Sequence, residues 1–521
     1  MSSIDIPEDL DLSNLTDKQK ILILDKLFFK ILASESDLDF EDNLRIYLPK
    51  LLLKLTSNEE IVRKKIMEIL VHINKRIKSR PDVQLPLDDL LEKFNNPELS
   101  CLTFFANFSL IYIKMSFPRL SDSNKAIMVE KLMKSLEGKS QSHQDSIFSL
   151  IVDGIRFLDL KPNDSKCKEK FGFIESDKLR KQFLDYLLNY LLLPYNQNKS
   201  TSSSNVPAQS EIPACMSDSI YKRFKNDVNM DNGDEIEKFK IGILRFLSFN
   251  IFEPDEVLFH FIISTSDTRY SVVQIAEIHI KRIVNSVELN DQRIVDRFFG
   301  FFLGHKVSFQ QSVPDSNKIE PANTRIRLKL FPYILRSRTA SATVGHAIQI
   351  VFDSLFGPAT STNQKIKMYA VQFVHQIALN CETEKLNKLG SVLIQGMNKV
   401  IAESKDDSKL RGLAYVAVGK LSRKIPTTIA NDISVVHNFF SALQNEDADT
   451  KLNIQEALVL MIDAFRNSKP EEKRLLLTLL FQYVENDVSN CRSMAVKFAF
   501  EIFDHDDLES RYLLLLASSD R

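Results

Sequence analysis

The sequence predicts an all-α chain, a HEAT/armadillo-like α-solenoid of antiparallel helix pairs, and three observations carry that reading. Four amphipathic ladders surround Ala370, Ala414, Ala457 and Ala495, at steps of 44, 43 and 38 residues, close to the roughly 40–47 of HEAT and armadillo units. An Asn or Asp stands seven or eight residues before each alanine (Asn363, Asp407, Asp449, Asp487), the residue type that caps a helix start. The apolar neighbours recur at three- and four-residue steps: Ile366, Phe373, Val374 and Ile377 around Ala370, and Leu410, Ala417, Val418 and Leu421 around Ala414, a stripe that must face a partner helix. A Lys or Arg also precedes the alanine by three residues (Lys367, Arg411, Arg492), failing only at Ile454.

From the start of the chain, Thr16 is a plausible cap for a helix through residue 33 that stripes Ile21, Leu24, Leu27, Phe28 and Ile31. A second helix, 39–55, carries Leu44, Leu48, Leu51, Leu52 and Leu55, with Pro49 near its middle predicting a kink. A third follows a cap at Ser57 and runs to Pro81 with Ile61, Ile66, Ile69, Leu70, Ile73 and Ile77 on one side. Helical repeats fill 1–194. Residues 195–235 read as a flexible loop insertion, Ser/Asn/Pro-rich at first and then acidic and Gly-containing. Repeats resume over 236–305, a second loop spans 306–323, and regular HEAT-like repeats fill 324–521. In the last helix Leu513–Leu516 cover every side of one turn, which suits a helix packed on both sides and an array continuing in a longer parent chain.

Composition narrows the function. The chain of 521 residues is 44% hydrophobic, with 13 Gly and 17 Pro, too few for a turn-dense β protein. Lys and Arg (68) nearly cancel Asp and Glu (69), so no whole-molecule field steers the chain to nucleic acid or acidic lipid. The start of the chain is polar and acidic, unlike a secretory or transit segment. The longest uncharged run, Leu99–Ile113, is shorter than the roughly 18–20 apolar residues of a membrane span and reads as a buried helix. Cys101, Cys167, Cys215, Cys381 and Cys491 are scattered without a CxxC pair, which indicates neither zinc nor a disulfide frame and points to a reducing, intracellular setting.

Catalytic signatures are absent from the pattern. Gly138-Lys139-Ser140 resembles the end of a phosphate loop, but Met133 occupies the position where that loop needs its first glycine. No two histidines fall closer than His260 and His279, and no HExxH appears. No glycine elbow supports a nucleophile. The sequence therefore assigns no catalytic, cofactor or metal residue. Its one charge cluster is Lys75, Arg76, Lys78 and Arg80, after Arg63, Lys64 and Lys65. It reads either as a solvated helix end, where cations complement the helix dipole, or as a basic docking patch for an acidic partner surface. No aromatic is interleaved, which counts against single-stranded nucleic acid.

Blocks spread in order along the chain resemble the large HEAT-repeat proteasome adaptor and scaffold family. They are VRKKI from Val62, HINKRIKSRPDVQLP through Pro86, IYIKMSFPRL to Leu120, SDTRYSVV from Ser266, LFPYILRSR to Arg338, QFVHQI to Ile377, AYVAVGKLSRKIP to Pro426 and RYLLLLASSDR at the end. Members of that family are far longer, so the resemblance implies an N-terminal portion. It also implies a non-catalytic scaffold, cytoplasmic and nuclear, that binds the proteasome and tethers or stabilises its core and regulatory particles, with links to motors and membrane-trafficking proteins but no direct membrane insertion and no cofactor. The competing readings are a nuclear-transport receptor or phosphatase scaffold built from the same repeats, and an enzyme whose site assembles only in space.

Overall fold

The computed structural model describes residues 10, 12, 15–100, 103–161, 165–195, 212–505 and 507–519, and each alanine ladder lies on a helix within them. Ala370, Ala414, Ala457 and Ala495 are all fully buried. At Gly419 a single added methyl carbon would come within 2.6 Å of the Ala457 Cα, so the two helices there meet backbone to backbone. Nothing larger fits without moving a helix.

The chain divides into two units, and the first comprises Met1–Gln209 with Ser219–Val284. Its helices are α1 Asp17–Leu32, α2 Asp37–Lys54, α3 Glu60–Ser79, α4 Leu87–Asn95, the short α5 Pro97–Ser100, α6 Thr103–Ser116, α7 Asp122–Lys134 and α8 Gln141–Gly154. There follow a short α9 Ser165–Lys170, α10 Asp177–Leu192, α11 Asp218–Asp227, α12 Gly233–Leu247, α13 Pro254–Ser264 and α14 Tyr270–Ile283. Sequence neighbours pair, α7 on α8 and α13 on α14, because short connections fold one helix back along the last. Alternate helices stack: α1 on α3, α6 on α8, α8 on α12, α12 on α14 and α10 on α13. Thr16 and Ser36 start α1 and α2; the Ser36 hydroxyl accepts from the Asp39 amide at 3.1 Å. The third helix begins after Glu59, two residues beyond the expected cap at Ser57, whose carbonyl instead receives Arg63 Nη1 at 2.6 Å.

The second unit comprises Ser210–Asp218 and Asn285–Arg521. It holds α15 Gln292–Leu303, α16 Thr324–Arg336, a short α17 Arg338–Ala342, α18 Val344–Phe356, α19 Gln364–Asn380, a short α20 Thr383–Asn387, α21 Gly390–Glu403 and α22 Ser408–Lys424. After a short α23 Pro426–Ala430 come α24 Ile433–Asn445, α25 Ala448–Arg466, α26 Pro470–Val484, α27 Ser489–Ile502 and α28 Leu508–Ser519. One layer stacks α16, α19, α22, α25 and α27 in series, and the other helices pair onto it. Each unit is thus an all-α stack of helix pairs, the HEAT/armadillo-like solenoid arrangement predicted. Among the described residues β pairing is confined to one isolated antiparallel bridge, Ser217 with Ile319.

Two of the four expected caps hold: Asn363 and Asp407 accept from the Ile366 and Leu410 amides at 2.9 and 3.0 Å. The third cap is Asp447, not Asp449, bonded to the Thr450 amide at 2.9 Å, because α25 begins nearly a turn earlier than its siblings. At the fourth, Val488 takes the cap position and Asn486, not Asp487, accepts from its amide. The recurring arginine has a structural task. Arg411 and Arg492 each send Nη1 back to the loop entering their own helix, onto the Ser404 and Asn486 carbonyls at 2.7 and 2.8 Å.

The loop insertion 195–235 needs a correction. Residues 196–211 lie outside the described residues, but Asp218–Asp227 is helical and a further helix starts at Gly233. The segment is too short to show an apolar period, yet tertiary partners order it. Phe224 packs on Tyr186 with ring centroids 4.7 Å apart, Arg223 grips Asp145 through two bonds, and Asp227 receives Lys114 and Ser146. The 306–323 loop carries two short 3-10 turns, Ser308–Gln310 and Asp315–Asn317, and no longer helix. Its ends are pinned: Gly304 adopts φ +58°, where an added Cβ would lie 2.5 Å from the Ile319 carbonyl, and Glu320 exchanges backbone bonds with Cys215 and Met216. In the last helix Leu513 and Leu514 are buried, whereas Leu515 is exposed, so the leucine run packs on one side only.

Candidate partner-binding surfaces

The basic cluster sits on the last two turns of α3, and the structure splits it. Arg76 turns inward to the end of α1, donating to the Ile31 and Ser34 carbonyls while its guanidinium lies 4.4 Å over the Phe40 ring. Arg80 pairs with Asp37 at 3.0 Å, reaches the Glu35 carbonyl at 3.2 Å and flanks the same ring. Burial, and secondarily Arg80, lowers the pKa of Arg76 from its usual value. Arg76 thus satisfies a carbonyl left open at the C-terminal end of α1, and both arginines hold the connection from α1 to α2. Lys75 and Lys78 alone of the four point to solvent. The same unit exposes apolar side chains on its stacked helices, Phe29 on α1, Val71 on α3, and Phe104 and Ile111 on α6. A cleft of ≈ 530 Å³ opens among α2, α4 and α7, with Glu41, Arg45, Lys131 and Asp89 at its polar edges and Ile127 and Met128 between them.

The second unit holds a basic surface that no sequence run announces. Helices α16, α19 and α22 contain eleven Lys and Arg and not one Asp or Glu, so none of the three neutralises its neighbour. Three of the eleven pair with carboxylates on other segments: Arg327 with Asp353, Arg411 with Glu446 and Arg423 with Asp463. Arg325, Lys365 and Lys409 occupy equivalent positions, each two residues after the caps Asn323, Asn363 and Asp407, and all three are exposed. Arg336 and Lys420 are likewise equivalent, thirteen residues after their caps. Among the described residues no carboxylate pairs with Arg336, Lys365, Lys409 or Lys424, while Arg423 leans 3.4 Å from Asp463.

Reactive chemistry is poorly served elsewhere. Burial pushes the Cys215 thiol up to about 12 and raises those of Cys381 and Cys491, which keeps them protonated and weakly nucleophilic; Cys101 lies outside the described residues. Lys139 of the Gly-Lys-Ser run donates to the Phe94 carbonyl at 2.6 Å and covers that ring at 4.2 Å. Ser308 Oγ approaches His346 Nε2 at 3.1 Å, but Asp296, the carboxylate whose charge reaches that ring, accepts a hydrogen bond from Gln292. His375 is held down to about 4 by burial and then by Lys420, its neighbour at 3.5 Å. No group of three His, Cys, Asp or Glu that could hold a metal occurs among the described residues, and no helix there is long and apolar enough to cross a membrane.

A family model described as proteasome component ECM29, N-terminal, matches residues 24–517. The proteasome adapter and scaffold protein ECM29 of Homo sapiens is 37% identical over 518 residues, covering 95% of this chain and 28% of that protein. The proteasome-associated protein ECM29 homolog of Drosophila melanogaster is 26% identical, covering 96% and 27%. Proteasome component ECM29 of Saccharomyces cerevisiae is 22% identical, covering 95% and 28%. The chain therefore spans under a third of the length of these relatives. Among solved structures, Kap121p bound to Pho4p aligns at a TM-score of 0.32 and 10% identity, over 97% of this chain and 48% of that one. Values at that level establish neither a shared shape nor a shared partner.

Proposed function

This chain belongs to the ECM29 N-terminal family, and on that footing we propose that it is a non-catalytic scaffold segment that binds the proteasome and helps hold core and regulatory particles together. The observation that carries the reading is the extent of the match, residues 24–517, which takes in both units rather than a few repeats. Stacked helix pairs suit the task, since each repeat contributes a few side chains to one long surface. A non-catalytic role agrees with the raised thiol pKa values of the buried cysteines and with relatives named adapter and scaffold. A cytoplasmic and nuclear location, and links from the assembly to motors and trafficking proteins, belong to the same proposal. Within it, the docking role of the cluster at Lys75–Arg80 falls to Lys75 and Lys78, since Arg76 and Arg80 are held internally.

Affinity purification of the tagged chain from lysate tests this reading. Subunits of both particles should co-purify at physiological salt, and fluorescence imaging should place the chain in cytoplasm and nucleus. A folded chain that recovers neither particle overturns the proposal.

A further inference from the structure

Beyond proteasome association as such, the second unit presents a recognition surface of definite chemistry. Cations of α16, α19 and α22, exposed except for half-buried Lys420 and Lys424, form two rows. Arg325, Lys365 and Lys409 make one row near the helix starts, and Arg336 and Lys420, joined by Arg423 and Lys424, make another near the ends. On α16 and α22 the rows lie eleven residues apart, about 16 Å at helical rise, while α19 carries Gln376 at the second position. Across the stack, neighbouring helices are about 8–10 Å apart, which sets the step between cations within the first row. Lys329, Tyr369 and Leu413, again at equivalent positions, lie between the rows and are half-buried.

We propose that this face of α16, α19 and α22 is a docking site for an extended acidic segment of a partner protein. Charge complementarity is the argument. Other segments supply carboxylates to Arg327, Arg411 and Arg423, whereas Arg336, Lys365, Lys409 and Lys424, on helices that carry no acid of their own, are left as a positive patch. An extended chain rises about 3.3 Å per residue, so carboxylates at every third position fall in step with cations about 10 Å apart. Tyr369 and Leu413 between the rows suit apolar residues of the same peptide that lie between its carboxylates. A nucleic-acid strand fits less well. It seeks bare aromatic faces for its bases, whereas Tyr369 packs on Phe331 at 5.7 Å and Tyr333 stacks on Phe298. Asp407, two residues before Lys409, is engaged as the α22 cap and by Gln364 Nε2 at 2.8 Å.

The test uses the whole chain and a fluorescent peptide with glutamate at every third position. Fluorescence anisotropy should show binding that weakens as salt is raised. The triple variant Arg336→Glu, Lys365→Glu, Lys409→Glu should bind about tenfold more weakly or worse. The milder pair Lys365→Gln, Lys409→Gln should lose part of the affinity while melting like the parent. An equal charge change placed off these helices, Lys399→Glu, Lys473→Glu, Arg474→Glu, should leave binding within a factor of about two. The proposal is overturned if the parent does not bind the peptide, or if the off-face variant loses as much as the on-face one. Tighter binding of an oligothymidylate, or of phosphatidylserine vesicles, than of the peptide overturns it too.

Discussion

The two basic regions of this chain look opposite in sequence and in space. Lys75, Arg76, Lys78 and Arg80 are close in sequence and conspicuous, yet two of the four are spent holding the connection from α1 to α2 over Phe40. The cations of α16, α19 and α22 are dispersed over a hundred residues, yet the stack gathers them on three neighbouring helices that carry no acid. Density along the chain is therefore a weak guide to a charged surface in a repeat protein. A helix end needs cations for its own carbonyls, whereas one cation per repeat, always at the same offset from the cap, costs the fold nothing and adds up across the layer.

Three measurements can break or sharpen that contrast. The largest effect is expected within α22, where Ala414 is buried at the crossing with its neighbours and Lys409 is exposed on the basic face. Ala414→Glu should destabilise by on the order of 3 kcal/mol or more, because a buried carboxylate there has no partner, while Lys409→Glu should melt like the parent. Equal melting temperatures would remove the assignment of buried and outward faces on which the basic layer rests.

Next comes the N-terminal cluster. Arg76→Ala should cost about 2–4 kcal/mol, through lost charged hydrogen bonds to two carbonyls and lost cover on Phe40. Lys78→Ala should stay within about 0.5 kcal/mol. Urea unfolding of the two variants decides it, and similar midpoints would return Arg76 to the solvated surface.

The smallest effect is a pH dependence at the edge of the basic layer. His375 has its folded pKa depressed from the usual 6.5 to about 4, by burial first and by Lys420 second. Above 6.5 the ring is neutral in both states and its contribution to stability is complete. As pH falls from 6.5 toward 4 the unfolded chain takes up the proton first, so that contribution is lost, by about 1–2 kcal/mol at pH 5. His375→Gln should flatten this limb of the stability profile. Lys420→Gln should shrink it, since removing the neighbouring cation lets the folded ring protonate at higher pH. A profile of His375→Gln that overlays the parent would dissociate the ring from acid sensitivity.

Much of the organisation was legible beforehand. Apolar periodicity placed the ladder helices because a helix that buries one face must repeat its apolar residues every three or four positions, and burial of all four alanines follows from that register. Caps were legible where the side chain bonds its own helix, as at Asn363 and Asp407, and missed where the helix starts early, as at Asp447. The absence of catalytic signatures came from the same linear reading, as did the family blocks. What the sequence by itself determined is therefore the local part: which stretches are helical, which face each buries, and the repeat that brings equivalent residues into register. Tertiary structure alone decided the rest. Whether Arg76 meets water or the Ile31 carbonyl, whether Asp218–Asp227 coils or packs Phe224 under Tyr186, and whether scattered lysines stand together all depend on residues brought near from elsewhere in the chain. Charge and short-segment order are properties of those neighbours, because the energy of a cation or of a ten-residue helix is set by what lies within a few ångströms of it.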